Sequence, residues 1–189
     1  PARALEVDRD DRARFRSFQL LSSKPVVYVC NVEEESAGSG NGFSESVAKY
    51  AADTGAQTVA ISAAIEAEIA QLGDEAEKQE YLETIGLEET GLARVIRAGY
   101  SLLDLVTFFT AGPKEARAWT VKAGSSAPKA AGVIHTDFEK GFIRAETIAY
   151  DDYIACNGEQ GAKDTGKMRL EGKDYIVQDG DVMHFRFNV

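Results

Sequence analysis

The segment VVYVCNV, Val26–Val32, follows Pro25 as a run of β-branched and aromatic residues without polar alternation. A strand with one wet face alternates with period two, so an unbroken run predicts a strand covered on both faces, as in a parallel sheet. Residues 31–42 are polar and glycine-bearing. Ser44 is then placed to cap a helix whose apolar positions Val47, Tyr50 and Ala51 recur at helical spacing, and Gly55 stops it. A second short apolar run follows at Gln57–Ser62. Strand, helix and strand make a right-handed βαβ unit, whose functional loops lie beyond the carboxyl ends of the strands. Those loops are Asn31–Glu34 and Ser62–Glu66.

The flanks are less constrained. Ala2–Leu21 mixes charge with Leu5, Phe15, Phe18, Leu20 and Leu21 and reads as a helix end and connector. Ala63–Leu105 is helical in pattern, with breaks at Gly73 and Gly86 and acidic runs that suit solvated faces. Beyond Leu105 the period becomes strand-like in VTFFTA, EARAWTV, FIRAETIAY, KMRL, DYIV and DVMHFRFNV, with a helix-like stretch at Ala127–Phe138 and a Gly-rich turn region before KMRL. Several short strands around one helix predict a small α+β domain. The division expected is 1–23 as connector, 24–98 as the α/β region and 99–189 as the α+β domain.

Thirty-one acidic residues against 21 basic ones give a net charge of −10, which disfavours nonspecific attraction to phosphate backbones or anionic lipid. The excess is uneven: residues 1–98 carry 18 acidic and 10 basic side chains, residues 99–189 carry 13 and 11. A local basic face is therefore compatible with the second region. No apolar run reaches bilayer length and the first residues lack the apolar core of a secretory signal, so a cytoplasmic address is expected. The two cysteines, Cys30 and Cys156, lie far apart in unlike surroundings and read as reduced thiols.

Nucleotide chemistry is the first thing a βαβ unit invites. GxxxxGK[ST] is absent, and neither GSGNGF nor GPKEAR supplies the lysine and hydroxyl that phosphates and Mg²⁺ require. No catalytic residue is therefore assigned. His184 in DVMHFRF reads as structural, and His135 in VIHTDFEKG can pair with Asp137 or Asp151. Glu66, Glu68, Asp74, Glu75, Glu77 and Glu80 fit a solvated helix face better than a metal site, and no metal is assigned. What remains is Asn31-Val32-Glu33-Glu34 with Ser62-Ala63. A strand-end amide offers a donor and an acceptor, and a carboxylate three residues on accepts from an amine, a pairing that suits a planar heterocycle. Asn and Glu after a strand are also ordinary turn formers.

KPVVYVCNVEE followed by AISAAIEAEIAQL resembles the fourth and fifth nucleotide-binding motifs of the YchF/Obg-like ATPase family, P-loop NTPases related to translation factors. In that family NxxE replaces NKxD and relaxes guanine selectivity in favour of adenine. GLARVIRAGYSLLDLVTFFTAGPKEARAWTV, AAGVIHTDFEKGFIRAETI and GKDYIVQDGDVMHFRFNV resemble its C-terminal part, which ends in a TGS domain of ubiquitin-like β-grasp fold. The resemblance implies part of a Rossmann-like P-loop NTPase sheet followed by that domain. It also implies that Asn31 recognises the base, that Val32 faces the adenine through its backbone, that Glu34 is the Glu of NxxE, and that Ser62 and Ala63 form the base-side loop. The family's P-loop and switch segments have no counterpart here, so this polypeptide resembles a C-terminal portion. ATP with Mg²⁺, or GTP, is then hydrolysed only with the other half, and the isolated chain is expected to bind ATP poorly. An open strand edge and apolar face around Val26–Val32 are expected as well.

The alternative is a non-catalytic module that binds RNA, the ribosome or a protein. Lys114, Arg117, Lys122, Lys129, Lys140 and Arg144, with Trp119 and Phe142 nearby in sequence, mix phosphate-binding and base-stacking groups. The same lysines can be solvated and the aromatics core.

Overall fold

The computed structural model describes residues 1–188; Val189, the last residue of the expected second region, lies outside them. The chain divides into two compact units, Pro1–Leu103 and a second beginning at Asp104.

In the first unit α1 (Arg12–Ser17) leads to β1 (Val27–Asn31), α2 (Gly42–Asp53) and β2 (Gln57–Ile61). β1 and β2 are parallel, from Val27↔Gln57 to Asn31↔Ile61. The cap of α2 is Asn41 rather than the expected Ser44. Asn41 Oδ1 accepts from the Phe43 and Ser44 N–H groups at 3.1 and 3.0 Å, and Ser44 Oγ accepts from Asn41 N at 2.7 Å. This reciprocal box satisfies three amides and starts the helix one turn earlier. At its far end Gly55 takes a φ of 68°, the left-handed conformation that ends a helix without a Cβ penalty.

Three helices follow: α3 (Ala63–Ile69), α4 (Glu75–Thr84) and α5 (Gly91–Leu102). α5 runs through Gly99, which places the end of the unit past residue 98. The unit's buried cluster is small: Ala37, Ile65, Ile69 and Leu82, with Tyr81 and Leu87 against it. The expectation that β1 is covered on both faces fails. Val29 is 45% exposed, and on α2 Phe43 and Tyr50 are exposed as well. A sheet of two strands has an edge at each, as expected, but the apolar face expected around Val26–Val32 is open only at Val29; Val26, Val27 and Tyr28 are half-buried and Val32 is buried.

The second unit comprises β3 (Leu105–Ala111), β4 (Ala116–Lys122), α6 (Ala127–Ile134), α7 (Thr136–Lys140), β5 (Phe142–Ala149), α8 (Tyr150–Ala155), α9 (Glu159–Asp164), β6 (Arg169–Glu171) and β7 (Asp181–Phe187). Its sheet order is β4-β3-β7-β5-β6, with β3 and β7 parallel and the other pairs antiparallel. One face packs on α6: Phe108, Ala127, Ala130, Ala131, Ala145 and Met183 are buried. The small residues of α6 let the helix lie close to the sheet.

The expected single helix over Ala127–Phe138 is broken at His135, whose φ and ψ of −159° and 140° are extended. DYIV is not a strand. Ala127 N donates to Tyr175 O at 2.8 Å and Val177 N to Ser125 O at 3.0 Å, so this segment pairs with the loop before α6. α8 and α9 occupy the expected turn region. No helix among the described residues is long and apolar enough to cross a membrane.

Candidate functional site

The carboxyl ends of β1 and β2 bring the two predicted loops together. Asn31 Oδ1 accepts from Ala63 N at 2.9 Å, and Val32 N donates to Ile61 O at 2.8 Å. One bond is made by a side chain and the other extends the strand ladder, so the residue after each strand is fixed relative to the other. Val32 and Ser62 are buried, whereas Asn31, Ala63 and Glu34 are exposed. Because the amide oxygen of Asn31 faces inward to Ala63, its NH₂ group is the part left to meet an acceptor outside.

Glu33 and Glu34 have different tasks. Glu33 accepts from Ser36 Oγ at 2.7 Å and from Asn41 Nδ2 at 2.8 Å, tying the loop to the cap of α2. The Ser36 hydroxyl, with the loop's own backbone and the Asn41 amide, holds the Glu33 carboxyl below the usual carboxylate range. Glu34 opens the short 3₁₀ turn Glu34–Ser36. An open groove of about 440 Å³ runs beside β1 and is lined by Asn31, Val32, Glu33, Asn41 and Phe43 among others. The groove's carboxylate, Glu33, is already bonded to Ser36 and Asn41, and Glu34, Ser62 and Ala63 do not line it; beside its apolar wall the groove offers the Asn31 amide as a donor suited to the edge of a heterocycle.

Sequence reading did not assign three supporting residues. Asn41 and Glu33 shape the loop, and the S/T/D/N-x-x-S spacing of a helix cap was the available signal. Glu66, grouped above with an acidic helix face, instead accepts from Gly91 N and Leu92 N at 2.6 and 3.1 Å.

The basic residues of the second unit are not gathered on one surface. Phe108 pairs with Trp119 across β3 and β4, and Arg117 and Trp119 share a face by strand alternation, so both lie on the α6 side of the sheet. The Arg117 guanidinium stacks 4.1 Å from the Trp119 ring, and Trp119 Nε1 donates to Thr110 Oγ1 at 2.9 Å. Lys114 lies in the turn between these two strands and, with Trp119, Ile134, Phe138 and Phe187, lines a groove of about 530 Å³. Arg144 alternates with buried Ala145 on β5, faces the opposite side and lies 3.9 Å from Glu146. Lys122 ends β4, Lys129 is on α6 and Lys140 ends α7, all exposed.

His135 caps α7, accepting from Asp137 N at 3.2 Å, with Asp137 Oδ2 3.5 Å from the same nitrogen. His184 lies with Glu146 and Glu159, their ligating atoms within 4.8 Å of one another. A cation already serves this group: Arg186 donates to Glu146 at 2.9 and 3.3 Å and holds that carboxyl below its ordinary range.

Comparison with known proteins bears on both units. The family model YchF-GTPase_C, described as a protein of unknown function (DUF933), matches residues 105–188. A protein named ribosome-binding ATPase YchF from Haemophilus influenzae is 60% identical over 187 residues, covering 99% of this chain and 51% of that protein. Obg-like ATPase 1 of Rattus norvegicus is 44% identical over 172 residues, 89% of this chain and 43% of that protein. The solved Schizosaccharomyces pombe YchF GTPase superposes with a TM-score of 0.81 at 32% identity, covering 97% of this chain and 49% of that one. The chain thus spans about half the length of the curated relatives it matches. Over nearly its whole length it is homologous to the YchF and Obg-like ATPase family.

Proposed function

We propose that the first unit supplies the base-recognising side of a nucleotide site in a YchF-type ATPase, and that the phosphates and Mg²⁺ are held by polypeptide outside this sequence. The observation that carries this reading is the 2.9 Å bond from Ala63 N to Asn31 Oδ1, which joins the two loops and turns the Asn31 NH₂ outward. That group donates to a purine ring nitrogen, and Glu34 accepts from an exocyclic amine, as on adenine, with Val32 offering its backbone carbonyl, since its N–H is held by Ile61 O. The donors fit a base. They do not fit a triphosphate, since no glycine-rich loop ending in Lys and a hydroxyl is present. Binding of ATP or GTP, its hydrolysis, and a cytoplasmic setting belong to the proposal.

The test is calorimetric titration with Mg·ATP. This 189-residue chain is expected to bind no tighter than millimolar, and micromolar affinity would overturn the division of labour. In a full-length family protein carrying this sequence, Asn31→Ala should weaken ATP about 10- to 100-fold, the range for one or two polar contacts to a base. Unchanged affinity would remove Asn31 from the site.

A second role is proposed for the second unit, as a TGS-like β-grasp domain that docks on ribosomal RNA. The strand order supports it: numbered within the unit, the sheet runs second, first, fifth, third, fourth, with the main helix between the second and third strands. Relatives named for ribosome binding support it too. The Arg117–Trp119 stack beside Lys114 is a mixed cationic and aromatic surface of the kind that meets phosphates and bases. Reversing Lys114 and Arg117 to Glu should abolish salt-sensitive retention on ribosomes; retention unaffected by salt and by the substitutions would point to a protein contact elsewhere.

A further inference from the structure

We infer that the first two turns of α5 brace the base pocket, with Glu66 and Arg94 as positioning residues for the two recognition loops. The inference rests on the nucleotide reading of Asn31 and Ala63. Glu66 lies in the first turn of α3, where its own N–H donates to Ser62 O at 3.1 Å. Its carboxylate takes the N–H groups of Gly91 and Leu92, one on each oxygen, at 2.6 and 3.1 Å. Those amides are donors that a helix start leaves unpaired, and the positive end of the helix dipole favours an anion there. A single carboxylate therefore bolts the start of α3, and with it the Ala63 N–H that meets Asn31, to the start of α5.

Gly91 makes the approach feasible. A Cβ at that position would lie 2.8 Å from Ile61 Cγ2 and 2.9 Å from Glu66 Oε1, so a larger residue would force Ile61, the Glu66 carboxylate or α5 to shift. Ile61 is also the residue whose carbonyl holds Val32 N. One turn further along α5, the Arg94 guanidinium donates to Ala37 O at 2.9 Å, directly after the turn that carries Glu34. Ala37 is buried, so this bond is sheltered from water. Both loops are thereby hung from one helix end, and neither Glu66 nor Arg94 lines the groove beside Asn31.

A brace of this kind changes recognition of the base and leaves the phosphate end alone. In a full-length family protein carrying this sequence, Glu66→Ala and Arg94→Ala should each lower affinity for Mg·ATP about tenfold, the scale of one charged hydrogen bond lost from a loop's support. Affinity for Mg·ribose 5′-triphosphate, which has no base, should stay within about twofold. Glu66→Gln keeps one acceptor oxygen and should fall between wild type and Glu66→Ala. Equal losses for both ligands would mean general damage and overturn the inference, as would no loss for either.

Asn31→Ala separates the two levels. If it leaves ATP affinity intact, the nucleotide reading fails and the brace falls with it. If it weakens ATP while Glu66→Ala and Arg94→Ala do not, the brace alone is refuted. In the 189-residue chain itself, Glu66→Gln should speed hydrogen exchange at the Ala63 amide and leave the amides of β3 and β5 unchanged. Unaltered protection at Ala63 would also overturn the inference.

Discussion

The two units bury their apolar surface in different ways. In the second, five strands and α6 close around Phe108, Ala127, Ala130, Ala131 and Ala145, each at 0% exposure. In the first, a sheet of two strands lies among five α-helices, the buried cluster contains only Ala37, Ile65, Ile69 and Leu82, and Val29, Phe43, Leu92 and Ile96 are open to water. A hydrophobic core stabilises in proportion to area removed from water, so the second unit carries most of the cooperative stability while the first carries the proposed nucleotide chemistry. A recognition surface on the less tightly packed unit can adjust to a ligand at small cost.

The sharpest way to break this comparison is to truncate one phenylalanine in each unit. Phe108→Ala removes a fully buried ring that packs edge-on against Phe185 and should cost about 3–5 kcal/mol. Phe43→Ala, at 86% exposure, should cost under about 0.5 kcal/mol. Urea unfolding followed by circular dichroism reads the helices of both units, while the fluorescence of the single tryptophan, Trp119, reads the second unit alone. Similar losses for the two substitutions would mean that the first unit has a core as closed as the second.

A polar lock holds the second unit shut, and cutting it should have the next largest effect. Asp181, nearly fully buried, accepts from Tyr175 Oη at 2.7 Å, Gln178 N at 2.9 Å and Arg169 NH2 at 3.3 Å. These bonds fasten the segment 172–180 to the start of β7. Asp181→Ala leaves the donors without their acceptor and should cost about 2–4 kcal/mol in the same urea experiment. Burial, then the hydrogen bond to Asp181, pushes the Tyr175 phenol up to about 12. Its folded value lies above the unfolded one of about 10, so its contribution is intact below pH 10 and is lost as pH rises towards 12. Ultraviolet titration should show late tyrosine ionisation that shrinks in Tyr175→Phe; a titration curve whose late part is the same in the variant would show that the lock is open in solution.

The two units were also unequally legible in sequence. β1, β2, β3, β4, β5 and β7 announce themselves because β-branched and aromatic runs have few other uses. The pairing of Asn31 with the Ser62–Ala63 loop follows from topology, since residues after adjacent parallel strands must emerge side by side. What escaped has tertiary causes. DYIV alternates like a strand, yet Tyr175 turns to Asp181 and Val177 is buried beneath the loop before α6. Glu66 looked like one acid among six, and only the fold brings α5's first amides to it. The basic residues form a series in sequence, but strand alternation sends Arg117 and Arg144 to opposite faces of one sheet.

The smallest expected effect tests whether surface charge contributes to the second unit's advantage. On the face opposite α6, Glu146 is bonded by Arg186 at 2.9 and 3.3 Å, with His184 opposite it in the β5–β7 register and Glu159 nearby. The Arg186 guanidinium lowers the Glu146 carboxyl, while desolvation works against it. A folded value below the unfolded one of about 4.3 means that the stabilisation is complete above that pH and disappears as acid protonates the folded carboxylate. Glu146→Gln should therefore cost under about 1 kcal/mol at pH 7, as partly solvated pairs do, and nothing at pH 2. The wild type and the variant should melt apart at neutral pH and together in acid. A cost that persists in acid would assign Glu146 a packing role under α9 instead, and the second unit's stability would then rest on its apolar core and the Asp181 lock alone.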